Sequence, residues 1–384
     1  MAVAFWVAVG LVAYTYLLYP VLLWALSQAR RTPVFADPPE WPSLSLVVSA
    51  YNEAGVMAAK LENALGLDYP AGRRQILVVS DGSDDGTDGI AAGYAGRGVE
   101  LLRLERRSGK TAGQNAAARR ATGEILVFSD ANSMYRPDAL KALVRPFADP
   151  RVGCVCGELR YVNPGAGGAA KGEGFYWRYE QFIKRAESRL GSLVGANGSI
   201  YALRRDLFEE LGPAIISDFI MPIRVVRRGR RVLYEPGAVA EEQSGKRFGE
   251  ELRRRTRIIA RSLYGLWTER GVLNPLTSGA FSLQILSHKV IRWLVPACLL
   301  GALGSSAVLA AAGGPFFRVV LGGQGLFYGL AALGALAPKS LGRLSVFYVP
   351  AYFTATNLGA LLGLIGFLAG RRYAVWQPLE RQEA

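Results

Sequence analysis

The feature that most constrains this chain is an apolar run near its start, residues 3–26, which contains no charged side chain. A run of this length is long enough to cross the ~30 Å hydrocarbon layer of a membrane as one helix. A cleaved signal peptide has a basic start and a short apolar core, whereas this start is uncharged and large residues fill the end of the run. Arg30 and Arg31 follow it, and basic residues favour the cytoplasmic side. We therefore expect a retained transmembrane anchor.

Three further apolar stretches lie near the other end, at residues 293–312, 319–335 and 345–368. Each is of spanning or nearly spanning length, and most of the charged side chains lie before them. The sequence therefore predicts five parts: an anchor (1–31), a cytoplasmic domain (32–275), an interfacial segment (276–292), a C-terminal transmembrane region (293–370) and a tail (371–384).

The C-terminal stretches raise a question of topology. If the charged domain is cytoplasmic, three crossings after it place Arg371 and Arg372 outside, against the preference of basic residues for the cytoplasmic side. We therefore expect one stretch to be re-entrant or to lie in the interface. Residues 345–368, interrupted by Pro350 and Asn357, are the first candidate.

The chain is basic, with a formal net charge of +14, and much of this charge is clustered. The clusters consist of Arg224, Arg227, Arg228, Arg230, Arg231, Arg253, Arg254, Arg255, Arg257 and Arg261. Beside a bilayer such clusters contact anionic headgroups, and a phosphate-rich ligand is the alternative that stays open. Proteins that bind single-stranded nucleic acid interleave aromatic side chains with the basic ones. These clusters do not, so we expect no nucleic acid partner.

Three cysteines are too few for a disulfide framework. Cys154 and Cys156 alternate with Val155, so in a strand both point to one face. A zinc site needs about four ligands, and the single histidine, His288, lies far along the chain. We expect buried free thiols in a reducing compartment.

Four short β-branched runs end in polar turns, beginning at residues 43, 75, 99 and 124, and helical spacing follows the first three. Alternating strands and helices predict an α/β domain whose sheet is mostly parallel and covered on both faces. Ligands of such sheets bind outside the carboxyl ends of the strands. The polar turns after Val48, Val79, Leu104 and Phe128 should therefore meet at one crevice.

Two local motifs resemble known binding loops without completing them. "DGSDDG" begins like a calcium loop, but the twelfth position, which needs a bidentate glutamate, is Ala92. "SGKT" resembles the end of a phosphate-binding P-loop, but Leu104 stands where that loop needs a glycine. Lys110 remains a cation at a strand-to-helix turn, either beside an anion site or in solvent.

Two acidic positions carry the candidate chemistry. His288 lies at the start of a membrane segment and has no partner nucleophile, so a carboxylate must act as general base. Asp218, flanked by apolar residues, fits that role, and an N-cap of the following helix is the competing interpretation. Asp130 and Asn132 in "FSDANS" follow the fourth strand, where they are either cation ligands or a polar turn.

The order of seven motifs, "VVSAYNE", "VVSDGSDDGT", "GKTAGQN", "FSDANS", "GANGSIYALRR", "SDFIMPIR" and "RRRTRI", resembles the membrane-bound family 2 glycosyltransferases. Within that family the resemblance is to the cellulose, hyaluronan and poly-N-acetylglucosamine synthases. It extends from about residue 43 to 262. It implies a nucleotide-sugar-binding domain of the GT-A type between N- and C-terminal transmembrane helices.

The resemblance also implies roles for single residues. It places the nucleotide beside Tyr51, Glu53, Asp81, Lys110, Arg254 and Arg257, the acceptor beside Gly195, Asn197 and Gly198, a divalent cation on Asp130 and Asn132, and the catalytic base at Asp218. The cation would be Mg²⁺ or Mn²⁺, since hard cations bind oxygen ligands.

Three positions depart from the family pattern. Ser80 replaces the first carboxylate of a common Asp-Asp-Gly motif, and Asn132 replaces the second aspartate of Asp-x-Asp. Residues 254–258, "RRTRI", replace Gln-x-x-Arg-Trp. That motif accompanies chain elongation in the synthases, so processive and single addition both stay open.

The resemblance predicts an inverting, metal-dependent glycosyltransferase of a bacterial inner membrane, with its catalytic domain cytoplasmic. It would move a sugar, a hexose or an N-acetylhexosamine, from a UDP-sugar donor to a polysaccharide or lipid-linked acceptor. The alternatives are transfer of one sugar to a polyprenyl phosphate or lipid, and a non-catalytic transport or scaffold protein that binds nucleotide-sugar.

Overall fold

The computed structural model describes residues 1–162, 168–243, 248–336 and 344–373. The strands are β1 (Leu44–Ala50), β2 (Arg74–Ser80), β3 (Val99–Arg103), β4 (Ile125–Asp130), β5 (Met134–Tyr135), β6 (Val152–Val162), β7 (Ile200–Arg204) and β8 (Arg231–Gln243). The helices are α1 (Ala2–Ala13), α2 (Tyr19–Gln28), α3 (Ala54–Leu65), α4 (Thr87–Ala92), α5 (Lys110–Arg120), α6 (Ala139–Val144), α7 (Gly168–Leu190), α8 (Ser217–Arg227), α9 (Phe248–Thr268), α10 (Pro275–Ser278), α11 (Ala280–Ile285), α12 (Ile291–Ala311), α13 (Pro315–Leu336) and α14 (Ser345–Leu368).

The strands form one mixed sheet in the order β3-β2-β1-β4-β7-β6-β8-β5. Among the described strands, four of the seven pairs are parallel, namely β3–β2, β2–β1, β1–β4 and β6–β8. The prediction of a mostly parallel sheet is therefore confirmed, and the first four strands form its continuous parallel half. β7 runs antiparallel between β4 and β6.

Strand β1 shows why this sheet is covered on both faces. Its residues are all buried, and successive side chains of a strand point to opposite faces. Leu46 and Val48 pack in one core with residues of α3 and α6, whereas Val47 packs on the other face with residues of α5 and α8. Cys154 and Cys156 of β6 lie on that second face as buried free thiols, as their alternation predicts.

Four helices among the described residues are long and apolar enough to cross a membrane. They are Ala2–Gln28, Ala280–Ala311, Pro315–Leu336 and Ser345–Leu368. The second begins before the predicted span at residue 293, because a single π-helical turn (Leu286–Val290) joins α11 to α12 without a break. Most of the segment 276–292 is thus the beginning of that helix, and its location at the membrane surface stays a prediction.

The last candidate span does not reverse direction as a re-entrant segment would. Pro350 lies inside α14 without ending it, and the helix is continuous from Ser345 to Leu368. Gly359 and Gly363 bring α14 against α9, where a Cβ on Gly363 would lie 2.8 Å from the carbonyl oxygen of Thr256. Helix α9, which carries the arginines of residues 253–261, therefore packs on the apolar helix α14.

Most of the arginines at residues 224–231 form ion pairs or hydrogen bonds within the protein itself. Arg224 and Arg227 both pair with Glu269, and Arg228 pairs with Glu209. For these three arginines, the predicted contact with headgroups is replaced by ion pairs that fix α8 to neighbouring segments.

Candidate active site

Four chain segments meet at the carboxyl end of the parallel strands, and the strand pattern predicts two of them, the turns after Leu104 and Phe128. Asp130 ends β4, Lys110 begins α5, Gly198 precedes β7 and Asp218 lies in the first turn of α8. The Lys110 ammonium forms an ion pair with Asp130 and donates a hydrogen bond to the Gly198 carbonyl oxygen at 3.1 Å. One crevice therefore holds a carboxylate, an ammonium and a second carboxylate.

Asp218 is held by the protein interior and does not cap its helix. The N-cap of α8 is Ile216, so the N-cap interpretation of Asp218 is wrong. Burial raises the pKa of the Asp218 carboxyl, while Lys110 lowers it, Asp130 raises it further, and Arg261 and a backbone hydrogen bond with Gly198 lower it. A carboxylate with a raised pKa is a better proton acceptor than an ordinary surface aspartate.

The loop before β7, "GANGS", is built around Asp218. Gly195 has a φ of +89°, which side chains rarely adopt, and the Ala196 N–H donates to the Asp218 carbonyl oxygen at 2.7 Å. A Cβ on Gly198 would lie 2.8 Å from Asp218 Oδ2 and 3.1 Å from Lys110 Nζ. Glycine at 198 therefore keeps the space between the two charged groups open.

Asn197 in the same loop has an unused donor that fits a ligand. Its Oδ1 accepts a hydrogen bond from the Ser199 N–H at 3.2 Å. Its Nδ2 is buried and has no hydrogen-bond partner among the described residues. An unpaired buried amide is costly, so this group is able to donate a hydrogen bond to a ligand in the crevice.

The motif "GKTAGQN" joins α5 to the segment that precedes the base. Thr111 donates to the Ile215 carbonyl oxygen at 2.7 Å, and Asn115 and Leu211 exchange two hydrogen bonds. Ser217 donates to Gln114, which is buried. The polar residues after Lys110 thus hold the backbone that positions Asp218.

Arg261 belongs to this framework as well. It is 6% exposed, and its guanidinium donates to Thr111 Oγ1 at 3.0 Å and to the carbonyl oxygens of Pro213 and Ile215. This arginine is structural, because it stabilises the loop between β7 and α8.

The donor set at Asp130 fits a divalent cation only when a ligand completes it. Asp130 is half-buried and offers carboxylate oxygens, and Asn132, two residues further along, is half-buried and neutral. No group of three or more His, Cys, Asp or Glu side chains able to hold a metal occurs among the described residues. Oxygen donors suit Mg²⁺ or Mn²⁺, and phosphate oxygens would supply the missing ligands.

A buried polar network lies behind Asp130. Lys60 of α3 is fully buried, and its ammonium donates to Ser129 Oγ at 2.8 Å and to the Ser133 carbonyl oxygen. Ser199 Oγ donates to Glu242 Oε1 at 2.6 Å and lies 3.3 Å from Asp130 Oδ2. Glu242, at the end of β8, also accepts from Ser133.

The pKa of Lys60 is shifted by its position in this network. Burial lowers the pKa of Lys60 to about 7, although Asp130 and Glu242 oppose the shift. The sequence pattern misses Lys60, because it lies within an ordinary helical stretch where lysine is normally exposed. Glu242 is missed because the pairing of β8 with the short strand β5 is what brings it beside the "FSDANS" turn.

Tyr51 and Asp81 line the neighbouring part of the crevice. The Arg107 guanidinium lies 3.8 Å from the centre of the Tyr51 ring. Asp81 is buried, and its carboxylate accepts hydrogen bonds from the Ser108 and Gly109 backbone N–H groups at 2.6 and 2.8 Å. Asp81 therefore fixes the loop that presents Arg107 and Lys110, in addition to any contact with a ligand.

Glu53 and the acidic turn after β2 are part of the same framework. Glu53 is buried at the start of α3, and its backbone N–H donates to Thr87. Asp85 accepts from the Ala54 N–H at 2.9 Å, and Asp84 accepts from Asn52. Asp85 also accepts from the Thr87 N–H at 3.0 Å, so its carboxylate holds backbone at the starts of both α3 and α4.

Four arginines, Arg107, Arg254, Arg257 and Arg261, lie close together. Burial lowers the pKa of Arg257 to about 10, and the adjacent cations Arg261, Arg254 and Arg107 lower it further. Two Arg107 nitrogens, Nε and Nη2, are buried without a hydrogen-bond partner among the described residues. Such a concentration of guanidinium groups favours an anion with several oxygens. Sequence reasoning identified Arg254 and Arg257 but missed Arg107.

Comparison with known proteins agrees with this geometry. Residues 45–212 match the family model described as Glycosyl transferase family 2. Residues 45–212, which are less than half of the chain, are therefore similar to a family 2 glycosyltransferase domain. The matched residues include all of β1 except Leu44, strands β2 to β7, Lys110, Asp130 and the "GANGS" loop.

Relatives of this glycosyltransferase domain come from several bacteria. An N-acetylglucosaminyltransferase of Mesorhizobium japonicum is 29% identical over 245 residues, covering 59% of this chain and 58% of the relative. A β-monoglucosyldiacylglycerol synthase of Trichormus variabilis is 27% identical over 175 residues, covering 44% of this chain and 37% of the relative. The chain thus spans from about a third to somewhat over half the length of these two relatives.

A solved structure confirms the fold of the glycosyltransferase domain. The mannosyltransferase PcManGT from Pyrobaculum calidifontis, in complex with GDP-Man and Mn²⁺, has a TM-score of 0.73 and 22% identity, covering 96% of this chain and all of that chain. Together with the family match, this likeness confirms the predicted GT-A architecture.

Proposed function

We propose that this protein is a membrane-bound, inverting glycosyltransferase that uses a UDP-sugar and a polysaccharide or lipid-linked acceptor. The observation that carries the proposal is the pairing, in one crevice, of the buried carboxylate of Asp218 with the Lys110–Asp130 ion pair. The first group suits a base, and the second suits a cation and a diphosphate. The family match and the names of the relatives support transfer of a sugar.

The geometry around Gly198 supports the assignment of Asp218 as the base. Asp218 would take the proton of the acceptor hydroxyl while that oxygen forms a bond to the anomeric carbon. The bond from that carbon to the diphosphate oxygen breaks with its electron pair, and a single displacement inverts the configuration. Asn197 Nδ2, which is buried without a partner in the described part of the chain, would donate to the acceptor.

The leaving group would be stabilised by fixed positive charge. Lys110 and Arg257, with Arg254 and Arg107 beside them, would face the diphosphate, and preorganised charge contributes most where charge develops. A divalent cation held by Asp130 and Asn132 would neutralise part of the same charge. Tyr51, Glu53 and Asp81 would contact the nucleoside.

Transfer of one sugar to a lipid is the second candidate. The departure of residues 254–258 from Gln-x-x-Arg-Trp and the likeness to a glucosyldiacylglycerol synthase favour it. A labelled donor distinguishes the two candidates, because processive transfer yields long polymer and single transfer yields one glycolipid.

The test begins with membranes that contain the full chain and a panel of nucleotide-sugars, scored for nucleotide release. Asp218→Asn should abolish transfer and leave binding of UDP unchanged, whereas Asp206→Asn, which alters an exposed aspartate, should retain both. Removal of divalent cations with a chelator should stop the wild-type reaction. Undiminished transfer by Asp218→Asn would refute the assignment of the base.

A further inference from the structure

A cavity of about 380 Å³ lies away from the crevice, at the end of the N-terminal apolar helix. It is lined by Arg30, Arg31, Pro33, Arg189, Leu190, Gly191 and Arg231. Four of these seven lining residues are arginines, and none is acidic. We call this cavity the arginine pocket.

The arginine pocket is separate from the candidate active site. Arg231 begins β8 and Glu242 lies near the end of the same strand. A strand rises about 3.3 Å per residue, so these positions are roughly 35 Å apart. A ligand in the pocket therefore does not contact the groups around Asp130.

The arginines of the pocket lack the carboxylate partners that neighbouring arginines have. Arg231 donates to the carbonyl oxygens of Gly191 and Ser188 at 3.0 and 3.2 Å, which orients its guanidinium. No ion pair of Arg30, Arg31 or Arg189 occurs among the described residues. By contrast, the arginines of α8 that lie outside the pocket pair with Glu269 and Glu209.

Asp149, which does not line the pocket, interacts electrostatically with Arg231, which does. Asp149 raises the pKa of Arg231, against the larger lowering by burial and by Arg151. Its oxygens already accept hydrogen bonds from Arg151 at 2.8 to 3.2 Å. The pocket therefore keeps an excess of positive charge that its own surroundings do not balance.

The position of the pocket relative to a membrane follows from the side chains of α2. Leu22, Trp24 and Leu26 are exposed large apolar residues near the end of this helix. Side chains of this kind on a membrane-spanning helix face lipid, and tryptophan favours the headgroup level. Arg30 and Arg31 follow two and three residues after Gln28, so the pocket opens where headgroups lie.

We propose that the arginine pocket binds a phosphate group, presented on this membrane face by the headgroup of an anionic lipid. Guanidinium groups bind phosphate oxygens in pairs of parallel hydrogen bonds. A pocket of this volume is in the range of small-ligand sites. The backbone-anchored Arg231 would form its floor, and Arg30 and Arg31 would close over the ligand.

The test uses the full chain in detergent and three soluble probes, namely dihexanoyl phosphatidylglycerol, dihexanoyl phosphatidylcholine and inorganic phosphate. The double variant Arg30→Gln/Arg31→Gln should bind phosphatidylglycerol about tenfold more weakly than the wild type, because two cations are lost. The matched control is Arg119→Gln/Arg120→Gln, which removes two exposed arginines of α5 outside the pocket. The control should bind as the wild type does.

The probes also distinguish the source of the phosphate. If the pocket binds phosphatidylglycerol more strongly than inorganic phosphate, the ligand is a lipid. If it binds the two equally, the ligand is a soluble phosphate, and the proposed chemistry of the site is still supported. Equal binding of phosphatidylcholine, or phosphatidylglycerol binding that the pocket variant does not weaken, would overturn the proposal. UDP binding should be unchanged in both double variants, so failure here is distinct from failure of the proposed enzyme function.

Discussion

At the scale of single residues, the raised pKa of Asp218 links the proposed base to stability. Burial is the main cause of the shift. A carboxyl whose pKa is raised in the folded state stabilises the fold at pH values below its unfolded pKa. That stability is lost as the pH rises through the folded pKa. At neutral pH the charged Asp218 therefore destabilises the fold that it serves.

Asp218→Asn should consequently be more stable than the wild type at pH 7.5, with an apparent Tm higher by about 2 °C or more. The difference should shrink as the pH falls toward 4, because Asp218 then becomes neutral in the wild type too. Thermal unfolding of the purified protein in detergent across this pH range measures the effect. A higher wild-type Tm at pH 7.5 would contradict the account.

Lys60 offers a second prediction at this scale, because it places a titrating cation behind the proposed metal ligand. Its pKa of about 7 means that it is largely charged at pH 6 and neutral at pH 9. A charge close to Asp130 opposes binding of a divalent cation by simple electrostatics. With saturating UDP, Lys60→Met should bind Mn²⁺ about threefold to tenfold more tightly than the wild type at pH 6.

The pH dependence separates this effect from a change of structure. At pH 9 the wild type and Lys60→Met should bind Mn²⁺ with similar affinity, because Lys60 is then neutral. Lys141→Met, which removes a lysine paired with Asp68 at the surface, is the matched control. Titration calorimetry at both pH values measures the affinities. An equal difference at pH 6 and pH 9 would rule out the electrostatic explanation.

At the scale of secondary structure elements, the sequence predicts which residues lie close together when their positions depend only on the order of the strands. Lys110 and Asp130 are predicted to lie together because parallel strands end at one edge of a sheet. Lys60 and Glu242 are not, because their burial depends on how α3 and β8 pack behind the turn. Asp218 joins the site through hydrogen bonds of α5 with α8 and with the segment just before α8, which no periodicity reveals.

The contact between α9 and α14 is another feature that only packing determines. A Cβ at Gly363 would lie 3.0 Å from Ile259 Cβ, in addition to its close approach to the Thr256 carbonyl oxygen. Arg254 and Arg257 lie on the same helix, α9. Glycine at 363 therefore sets how closely α9 approaches α14.

Gly363→Val should displace α9 and weaken binding of UDP by about tenfold, since charge-assisted hydrogen bonds to phosphate depend on geometry. Gly301→Val, on α12, is the matched control, because a Cβ at Gly301 meets nothing within 4 Å. Binding of UDP to both purified variants provides the measurement. Wild-type affinity in Gly363→Val would show that α14 does not position the arginines.

At the scale of the whole molecule, a buried carboxylate joins the glycosyltransferase domain to its apolar helices. Glu187 of α7 is fully buried, and it accepts hydrogen bonds from Tyr19 of α2 at 2.9 Å and from the Val194 N–H at 3.1 Å. The His288 Nδ1 lies 2.7 Å from the same carboxylate. His288 belongs to the helix Ala280–Ala311, so three helices meet at one side chain.

The single histidine therefore has a structural explanation that its position in the sequence did not suggest. Removal of one partner from a buried polar cluster is far more costly than removal of all of them, because the groups left behind remain desolvated. Glu187→Leu should accordingly destabilise the protein by about 3–5 kcal/mol. Glu105→Leu, at an exposed position, should leave stability within about 0.5 kcal/mol of the wild type.

The decisive comparison is the triple variant Glu187→Leu/Tyr19→Phe/His288→Phe. It replaces the carboxylate and both side-chain partners by apolar groups, so it should recover a large part of the stability that Glu187→Leu loses. Thermal unfolding of the four proteins in the same detergent tests this, with monodispersity as a second readout. If the triple variant is no more stable than Glu187→Leu, the cluster is not what joins the domain to α2 and to the helix Ala280–Ala311.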